Sequence, residues 1–481
     1  MTSYDQVRYP NWPNPRTHPG HLGALAQLLG RPAAPATACR VLEIGCSEGV
    51  NLASLAVAAP ESEYLGIDIA ETAITRGRAL MAQAGLDNVS LKVADVREAH
   101  GVEGTFDYII AHGVYAWTPL SVREALMEAL GRHLSRDGIG FLSYNVYPGC
   151  RVRQTIRDYV TYILDGISDP HERMAEGRSR LEYQMDGWSP EHAFQKALIE
   201  AAENILTRPL EVLFHDEMGP WWEPQFLSDV VAAARVRGLA YLADAHPASL
   251  NDGLLPSVRF DAARKLTGGD WARFEQLCDF TDLRPFRWSL FVRDGPPIER
   301  IATPDRVAGL WASAEISRVA SRADTKRHVF KSSKGAELET DSDTLGELLT
   351  MLSRETSVSL EGIAAHSDVV EAVLRLYVNE VVTLSTTPPI YTRTPGEQPL
   401  ASPVARAQAR AGEDTLAGLH HKPVRLENTF WTSFVQQLDG KHNRAALARF
   451  ISETAGKSLD EAAALVPAAL EEVAGHKLLI A

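Results

Sequence analysis

The first 165 residues alternate short apolar runs with longer stretches of helical periodicity. Five apolar runs predict strands, and they cover residues 40–44, 64–68, 89–93, 106–111 and 139–144. Strands that alternate with helices in this way are typical of an α/β fold built on a parallel, doubly wound, Rossmann-like sheet.

Helical patterns connect these strands. One covers residues 51–59 and stops at Pro60, and an alanine-rich one covers residues 71–85. A third is predicted at 121–134, because Ser121-Val122-Arg123-Glu124 has the spacing of a capping box.

From about residue 166 the alternation ends, so we place a first domain at 1–165 and predict three more. Residues 166–300 are mostly helical, with a break between helices at Trp221-Trp222-Glu223-Pro224. Residues 301–385 combine a hairpin, two helices and a closing strand, which suggests a winged-helix-like fold. Residues 386–481 begin with a proline-rich linker or surface-wrapping segment and end in helices.

The composition disfavours several functional classes of protein. Acidic residues exceed basic ones by 62 to 48, and the resulting net charge of −14 disfavours a groove that tracks nucleic acid. The four cysteines include no Cys-x-x-Cys pair, so they predict no disulfide scaffold and fit a reducing compartment. Without a signal-peptide pattern or a membrane-spanning run, we expect a cytoplasmic protein with no membrane insertion. His420-His421 lacks a partner motif, so no metal is expected.

The turn after the first predicted strand is the first candidate ligand site, because doubly wound sheets bind ligands at the carboxyl ends of their strands. Gly45 and Gly49 let the backbone approach a ligand where a Cβ atom would collide. The helix behind them presents its positive end and free N–H groups. Glu43 ends the strand, and its charge favours a cationic cofactor over a dinucleotide. S-adenosylmethionine (SAM) carries both an ammonium and a sulfonium.

Two more acidic residues end strands at the same edge of the sheet. Asp68 ends the second strand, where a carboxylate can accept hydrogen bonds from both ribose hydroxyls. Asp95 follows the third strand, where it can accept from the exocyclic amine of adenine. The alternative is that both residues only cap the next helices. The predicted cofactor site also includes Cys46, Asn51, Ile69, Val96 and His112.

These residues resemble class I SAM-dependent methyltransferases. The resemblance is carried by Glu43-Ile44-Gly45-Cys46 with Gly49 and Asn51, by Thr17-His18-Pro19, and by residues 111–117 and 143–149. Together they resemble the bacterial subgroup that has a methyltransferase regulatory domain and includes protein lysine methyltransferases. Further matches lie at 213–217, 222–226 and 438–440. Ser47 departs from the pattern, since many class I enzymes have a third glycine there.

The resemblance implies methyl transfer from SAM to a lysine side chain of a protein acceptor. Because SAM supplies the activated carbon, the protein must align the acceptor and exclude water. Tyr115 and Trp117, after the fourth strand, are predicted to form an aromatic wall beside the cation. Asn145 is predicted to orient the acceptor through its side-chain carbonyl, and His112 is a candidate base. The alternatives are packing for the two aromatic residues and a cofactor contact for His112.

Other functions remain open from the sequence. The same chemistry can serve a small molecule or modified peptide in a biosynthetic pathway, because class I folds act on both substrate types. A SAM-binding regulator without turnover is the alternative outside the enzymes. The helical pattern at 369–376 has too few basic residues to read DNA, so no nucleic-acid partner is expected. The resemblance implies a homodimer, and residues 9–18 are either a cofactor lid or a surface arm.

Overall fold

A computed structural model describes residues 2–98, 102–250, 260–319, 327–363 and 365–481. Its centre is a seven-stranded sheet with the strand order β3-β2-β1-β4-β5-β7-β6. The strands are β1 Arg40–Ile44, β2 Glu63–Asp68, β3 Val89–Val93, β4 Phe106–Ala111, β5 Leu134–Asn145, β6 Leu239–Asp244 and β7 Phe286–Arg293. β1 to β5 pair in parallel, so the predicted doubly wound α/β sheet is confirmed. Helices cover both faces, which explains why the central strands are nearly continuous apolar runs.

Two strands of this sheet come from the region predicted as mostly helical. β7 lies antiparallel between β5 and β6, and its pairing with β5 extends from Phe286 opposite Asn145 to Val292 opposite Ile139. The sequence did not predict these strands, because each is a single run separated from the others by long helical segments. The middle region and the first domain therefore share one sheet.

Helices of the first region flank β1 to β5. They are Ser3–Gln6, Pro19–Leu28, Val50–Ala58, Glu71–Ala84 and Leu120–His133. The capping box predicted at Ser121 is wrong. The helix begins at Leu120, and its N-cap residue is Pro119, whose side chain makes no capping hydrogen bond.

The middle region adds helices around its own apolar core. They are Arg151–Ile163, Pro170–Asp186, Ala193–Leu206, Leu210–Met218, Leu227–Arg235, Asp261–Thr267 and Trp271–Asp282. The predicted break between helices at 221–224 is confirmed. Arg287 of β7 is fully buried and donates to Asp279 and Glu275 of the last helix, at 2.7 Å and 2.9 Å. This ion pair fixes the helix on the sheet.

Residues 301–385 form a small mixed unit. Its strands are β8 Trp311–Ala314, β9 Ile316–Val319, β10 His328–Ser332, β11 Glu337–Thr340, β12 Val358–Ser359 and β13 Val382–Ser385. Its helices are Asp343–Arg354 and Ser367–Val378. The predicted hairpin is confirmed as the antiparallel pair of β10 and β11. Its apolar residues join the core on one face of the central sheet.

The C-terminal region forms a separate apolar core. Its helices are Pro403–Arg410, Thr429–Gln437, Arg444–Ala455 and Leu459–Gly475, and its strands are β14 Thr415–Ala417 and β15 Pro423–Arg425. The proline-rich segment before them pairs back through Tyr391 with Ile480 and through Ala401 with Leu479, so it wraps over this region. None of the helices within the described ranges is long and apolar enough to cross a bilayer.

Candidate cofactor and acceptor site

The glycine-rich turn lies where the strand order reverses, between β1 and β4. Gly45 and Gly49 have φ angles of +76° and +69°, and a Cβ atom on Gly45 would come within 2.5 Å of Val114. Ser47 also adopts a left-handed conformation, with φ +51°. This geometry explains why glycine is favoured at all three positions. The helix Val50–Ala58 begins directly behind the turn.

The Glu43 side chain lies beneath this turn, and one of its two carboxylate oxygens accepts a hydrogen bond. Its Oε1 accepts a hydrogen bond from the side-chain amide of Asn51 at 2.9 Å, whereas its buried Oε2 has no partner among the described residues. Burial raises the pKa of the Glu43 carboxyl to about 8. A buried acceptor without a donor fits the ammonium of SAM, since that cation would both pair with the oxygen and restore the carboxylate.

Asp68 ends β2 and braces the turn. Its Oδ2 accepts from the backbone N–H of Ser47 at 2.8 Å, and its Oδ1 accepts from the N–H of Ala70 at 2.9 Å. Ala70 is the N-cap residue of the helix Glu71–Ala84, so Asp68 also supports a helix start. Burial raises the pKa of Asp68. The neighbouring Ile69 is 49% exposed, which leaves an apolar side chain open beside this carboxylate.

Asp95 lies at the same edge of the sheet, after β3. Both of its carboxylate oxygens accept from the Arg97 guanidinium, at distances from 2.6 to 3.1 Å, and these bonds lower its pKa. Val96 is half-buried against the apolar core under β1 and β4. The Cys46 thiol is buried and its pKa is raised by that burial, so the residue faces the turn through its backbone.

The N-terminal segment lies directly against this turn. Asn11 donates from Nδ2 to the Cys46 carbonyl at 3.3 Å, and its Oδ1 accepts from the Val50 N–H at 3.2 Å. The backbone N–H of Asn14 donates to Oδ1 of Asn51 at 3.0 Å. Arg8 forms an ion pair with the buried carboxylate of Glu48 at 2.7 Å. These contacts place residues 8–14 over the predicted cofactor turn, as the lid interpretation expects.

His112 directly follows β4, at the carboxyl edge of the sheet. Its Nδ1 is 2.7 Å from the Ser143 hydroxyl, and its Nε2 is 3.1 Å from the amide nitrogen of Asn14. The surrounding protein desolvates the ring and lowers its pKa to about 4.

The two aromatic residues after β4 differ in burial: Tyr115 lies in the core and Trp117 is half-buried. Tyr115 is only 5% exposed and packs on Tyr144, with 5.8 Å between ring centroids, so the structure places it beneath the site. Trp117 is half-buried and packs on Trp222 at 5.9 Å, with the guanidinium of Arg153 5.3 Å from each ring. Packing therefore accounts for Tyr115, whereas Trp117 forms a wall shared with the middle region.

Asn145 ends β5 and is 3% exposed. Its side-chain Oδ1 is buried and has no partner among the residues that the structure describes. The residues 222–226 run beside it: the Glu223 N–H donates to the Ala116 carbonyl at 2.8 Å, and the Gln225 N–H donates to the Asn145 carbonyl at 2.9 Å. The middle region thus supplies one side of the candidate acceptor site.

Several residues near the site were not predicted. Asn11 and Asn14 lie in a proline-rich stretch whose composition fits an exposed arm equally well. Trp222 and Phe226 belong to a motif of the resemblance, but only the fold brings them against Trp117 and Tyr147. Among the described residues no group of acidic, histidine and cysteine side chains forms a metal site.

Three family models match parts of the chain. A methyltransferase domain matches residues 41–138, a predicted methyltransferase regulatory domain matches 209–293, and the C-terminal winged helix domain of PKMT matches 397–476. The uncharacterized protein RP028 of Rickettsia prowazekii (strain Madrid E) is 32% identical over 218 residues, which is 45% of this chain and 87% of that protein. The chain belongs to the SAM-dependent methyltransferases that carry a methyltransferase regulatory domain. The cofactor of this methyltransferase is SAM.

Two further proteins resemble the methyltransferase over longer stretches. The uncharacterized protein RP789 of the same organism is 30% identical over 305 residues, which is 63% of this chain and 55% of that protein. The methyltransferase therefore spans about half the length of that relative. PKMT2 from Rickettsia typhi, solved in complex with AdoHcy, is 24% identical with a TM-score of 0.85, and the match covers 98% of this chain and 100% of that one. This likeness shows that the two share a fold.

The winged-helix match lies at 397–476, in the range that we predicted as linker and terminal helices. The winged-helix-like unit predicted from the sequence lies at 301–385. A winged-helix C-terminal region is confirmed, and the exact domain boundaries stay a prediction.

Proposed function

We propose that the chain N-methylates lysine side chains of a protein acceptor, with SAM as the methyl donor. The observation that carries this proposal is the buried Oδ1 of Asn145, which has no partner among the described residues; the backbone carbonyl of the same residue accepts from Gln225 of the middle region. An amine N–H entering this position would satisfy that oxygen. The match to a PKMT winged helix domain supports a protein as acceptor.

SAM supplies an electrophilic methyl group when it is bound, so the chain itself has to position an amine and keep water away. Glu43, Asp68 and Asp95 are the proposed contacts to the ammonium, the ribose and the adenine of SAM. Gly45 and Gly49 allow the left-handed turn to pack closely on Val114 and Leu91, which fixes the backbone that would face the cofactor. Asn145 orients the amine by accepting one of its N–H groups, so that the nitrogen lone pair points along the transfer line.

A lysine must lose a proton before it can accept a methyl group. His112 is a poor base for this step, because its pKa is about 4 and its Nε2 contacts the Asn14 amide. We infer instead that desolvation near Trp117 and Trp222 favours the neutral amine, which releases its proton to solvent before it enters. His112 then joins the end of β4 to Ser143 and to the N-terminal segment through Asn14.

The four cysteines are all free thiols, and each is buried. This state fits a reducing compartment, so we infer that the chain acts in the cytoplasm. We further infer that the chain forms a homodimer, as the resemblance implies.

The decisive experiment follows labelled methyl groups from SAM into a lysate of the source cells, separated into protein and small-molecule fractions. We expect label in protein that survives acid and base, as N-methyl-lysine does, and loss of that label with Asn145→Ala but not with Tyr183→Ala, an exposed control. Label confined to small molecules would overturn the lysine proposal and favour a biosynthetic substrate. No label despite SAM binding would favour a regulator without turnover.

A further inference from the structure

A row of neighbouring aromatic rings leads outward from the candidate acceptor site. Tyr147 lies two residues beyond Asn145, and its ring centroid is 5.6 Å from that of Phe226. Phe226 in turn stacks on Phe280 at 5.9 Å with an interplanar angle of 25°. Three rings from three separate elements therefore form one row, which we call the aromatic strip.

The outer end of the aromatic strip is open to solvent. Phe280 is 50% exposed and the neighbouring Leu283 is 64% exposed. Leu283 follows the helix Trp271–Asp282 in a left-handed conformation with φ +49°, and its carbonyl lies against Gly149, where a Cβ atom would come within 2.2 Å. Large apolar side chains held at the surface beside a binding site mark an interaction surface rather than a core.

We propose that the aromatic strip binds the polypeptide that flanks the acceptor lysine, in an extended conformation. This inference rests on the proposed function and adds where the acceptor chain lies. The strip is continuous with the acceptor site, since the Tyr147 N–H donates to the Gln225 carbonyl at 3.1 Å beside Asn145. Its ring spacings approach the roughly 7 Å between alternate side chains of an extended strand.

The charge of the chain is consistent with a lysine-bearing partner. The net charge of the whole chain is −14, although the Arg151 guanidinium lies 3.9 Å from the Tyr147 ring centroid at the inner end of the strip. Glu223 is 64% exposed at its side chain, although it also pairs with Arg123. The negative net charge of the chain favours approach of a basic segment and adds little to its affinity once it is bound.

The test uses two peptides as probes, a lysine-containing peptide of 13 residues and the same sequence cut to three residues around the lysine. For the full-length protein we expect a lower KM for the long peptide, by about tenfold, from contacts outside the site. Phe280→Ala and Leu283→Ser should raise the KM of the long peptide to that of the short one, with kcat and SAM affinity unchanged. Tyr162→Ala and Tyr183→Ala, at 83% and 80% exposure, are matched controls.

Failure of this inference differs from failure of the proposed function. If Phe280→Ala and Leu283→Ser do not change the KM of the long peptide, the strip does not bind the acceptor chain. Lysine methylation itself would be unaffected by that result. If neither peptide is methylated, the proposed function fails, and fluorescence anisotropy of the labelled long peptide still tests the strip against the same controls. A Phe280→Ala variant that turns a dimer into a monomer in sedimentation would assign the strip to a second copy and overturn the inference.

Discussion

The side-chain amide of Asn14 donates a hydrogen bond to Nε2 of His112, with 3.1 Å between the two nitrogens. The amide orientation follows from Oδ1 of Asn14, which accepts from the Arg16 N–H at 3.0 Å and leaves Nδ2 facing the ring. Nε2 is therefore the acceptor, and the proton of the neutral ring lies on Nδ1, which donates to Ser143. Asn14 of the N-terminal segment thus sets the tautomer of His112.

The Asn14→Asp variant tests this relationship. It keeps the oxygen that accepts from Arg16 but replaces the donor with a carboxylate, which favours a protonated ring. We expect the pKa of His112 to rise from about 4 towards or above its ordinary 6.5. The check is a pH titration of the imidazole nitrogen shifts by NMR. Asn11→Asp is the control, since Asn11 contacts Cys46 and Val50 instead, and equal titrations in the two variants would refute the contact.

SAM binding should release a proton from Glu43 at neutral pH. Its pKa is raised to about 8 by burial, so the free protein holds this carboxyl mostly protonated at pH 7. The ammonium of SAM lowers that pKa, and the proton leaves. SAM affinity should therefore rise between pH 6 and pH 8. Calorimetry in buffers of different ionisation enthalpy measures the released proton, and Glu43→Gln, which keeps the acceptor for Asn51, should abolish both effects.

Asp68 and Asp95 should differ in their contribution to folding. Asp68→Ala leaves the backbone N–H groups of Ser47 and Ala70 without their acceptor, which costs about 1–3 kcal/mol. Asp95→Ala removes the acceptor of the exposed Arg97 guanidinium and of the Arg97 backbone N–H, so it should lower the free energy of unfolding much less than Asp68→Ala. Both variants should weaken SAM binding more than tenfold. Urea unfolding and calorimetry separate the two effects, and full SAM affinity in either variant would reduce that residue to a structural role.

Arg287 should be among the residues on which stability depends most. Arg287→Met leaves the fully buried carboxylate of Asp279 without its main partner, which costs about 3–5 kcal/mol in the free energy of unfolding. Arg284→Met is the matched control, because Arg284 contacts the same carboxylates but is 28% exposed. Denaturant unfolding measures both variants, and equal losses would contradict the expected dependence on burial.

Local patterns predicted the elements around the cofactor but not the partners that complete the site. β1 to β4 and the turn at Gly45 and Gly49 carry their periodicity and glycine spacing within a few residues. The buried position of Tyr115 could not be predicted, because a tyrosine in a loop serves core and cleft equally well. The pairing of Trp117 with Trp222 joins residues more than 100 positions apart, and only the tertiary fold brings them together.

β6 and β7 lie within the range that matches the regulatory domain, and β7 pairs with β5. The regulatory domain and the methyltransferase domain therefore share one sheet. A chain truncated after residue 165 would leave β5 as an open edge, with the seven residues from Ile139 to Asn145 that pair with β7 deprived of their neighbours. Such an apolar edge is a template for aggregation. We therefore expect the first 165 residues to fold poorly on their own, and substitutions in the regulatory segment to change the stability of the whole sheet.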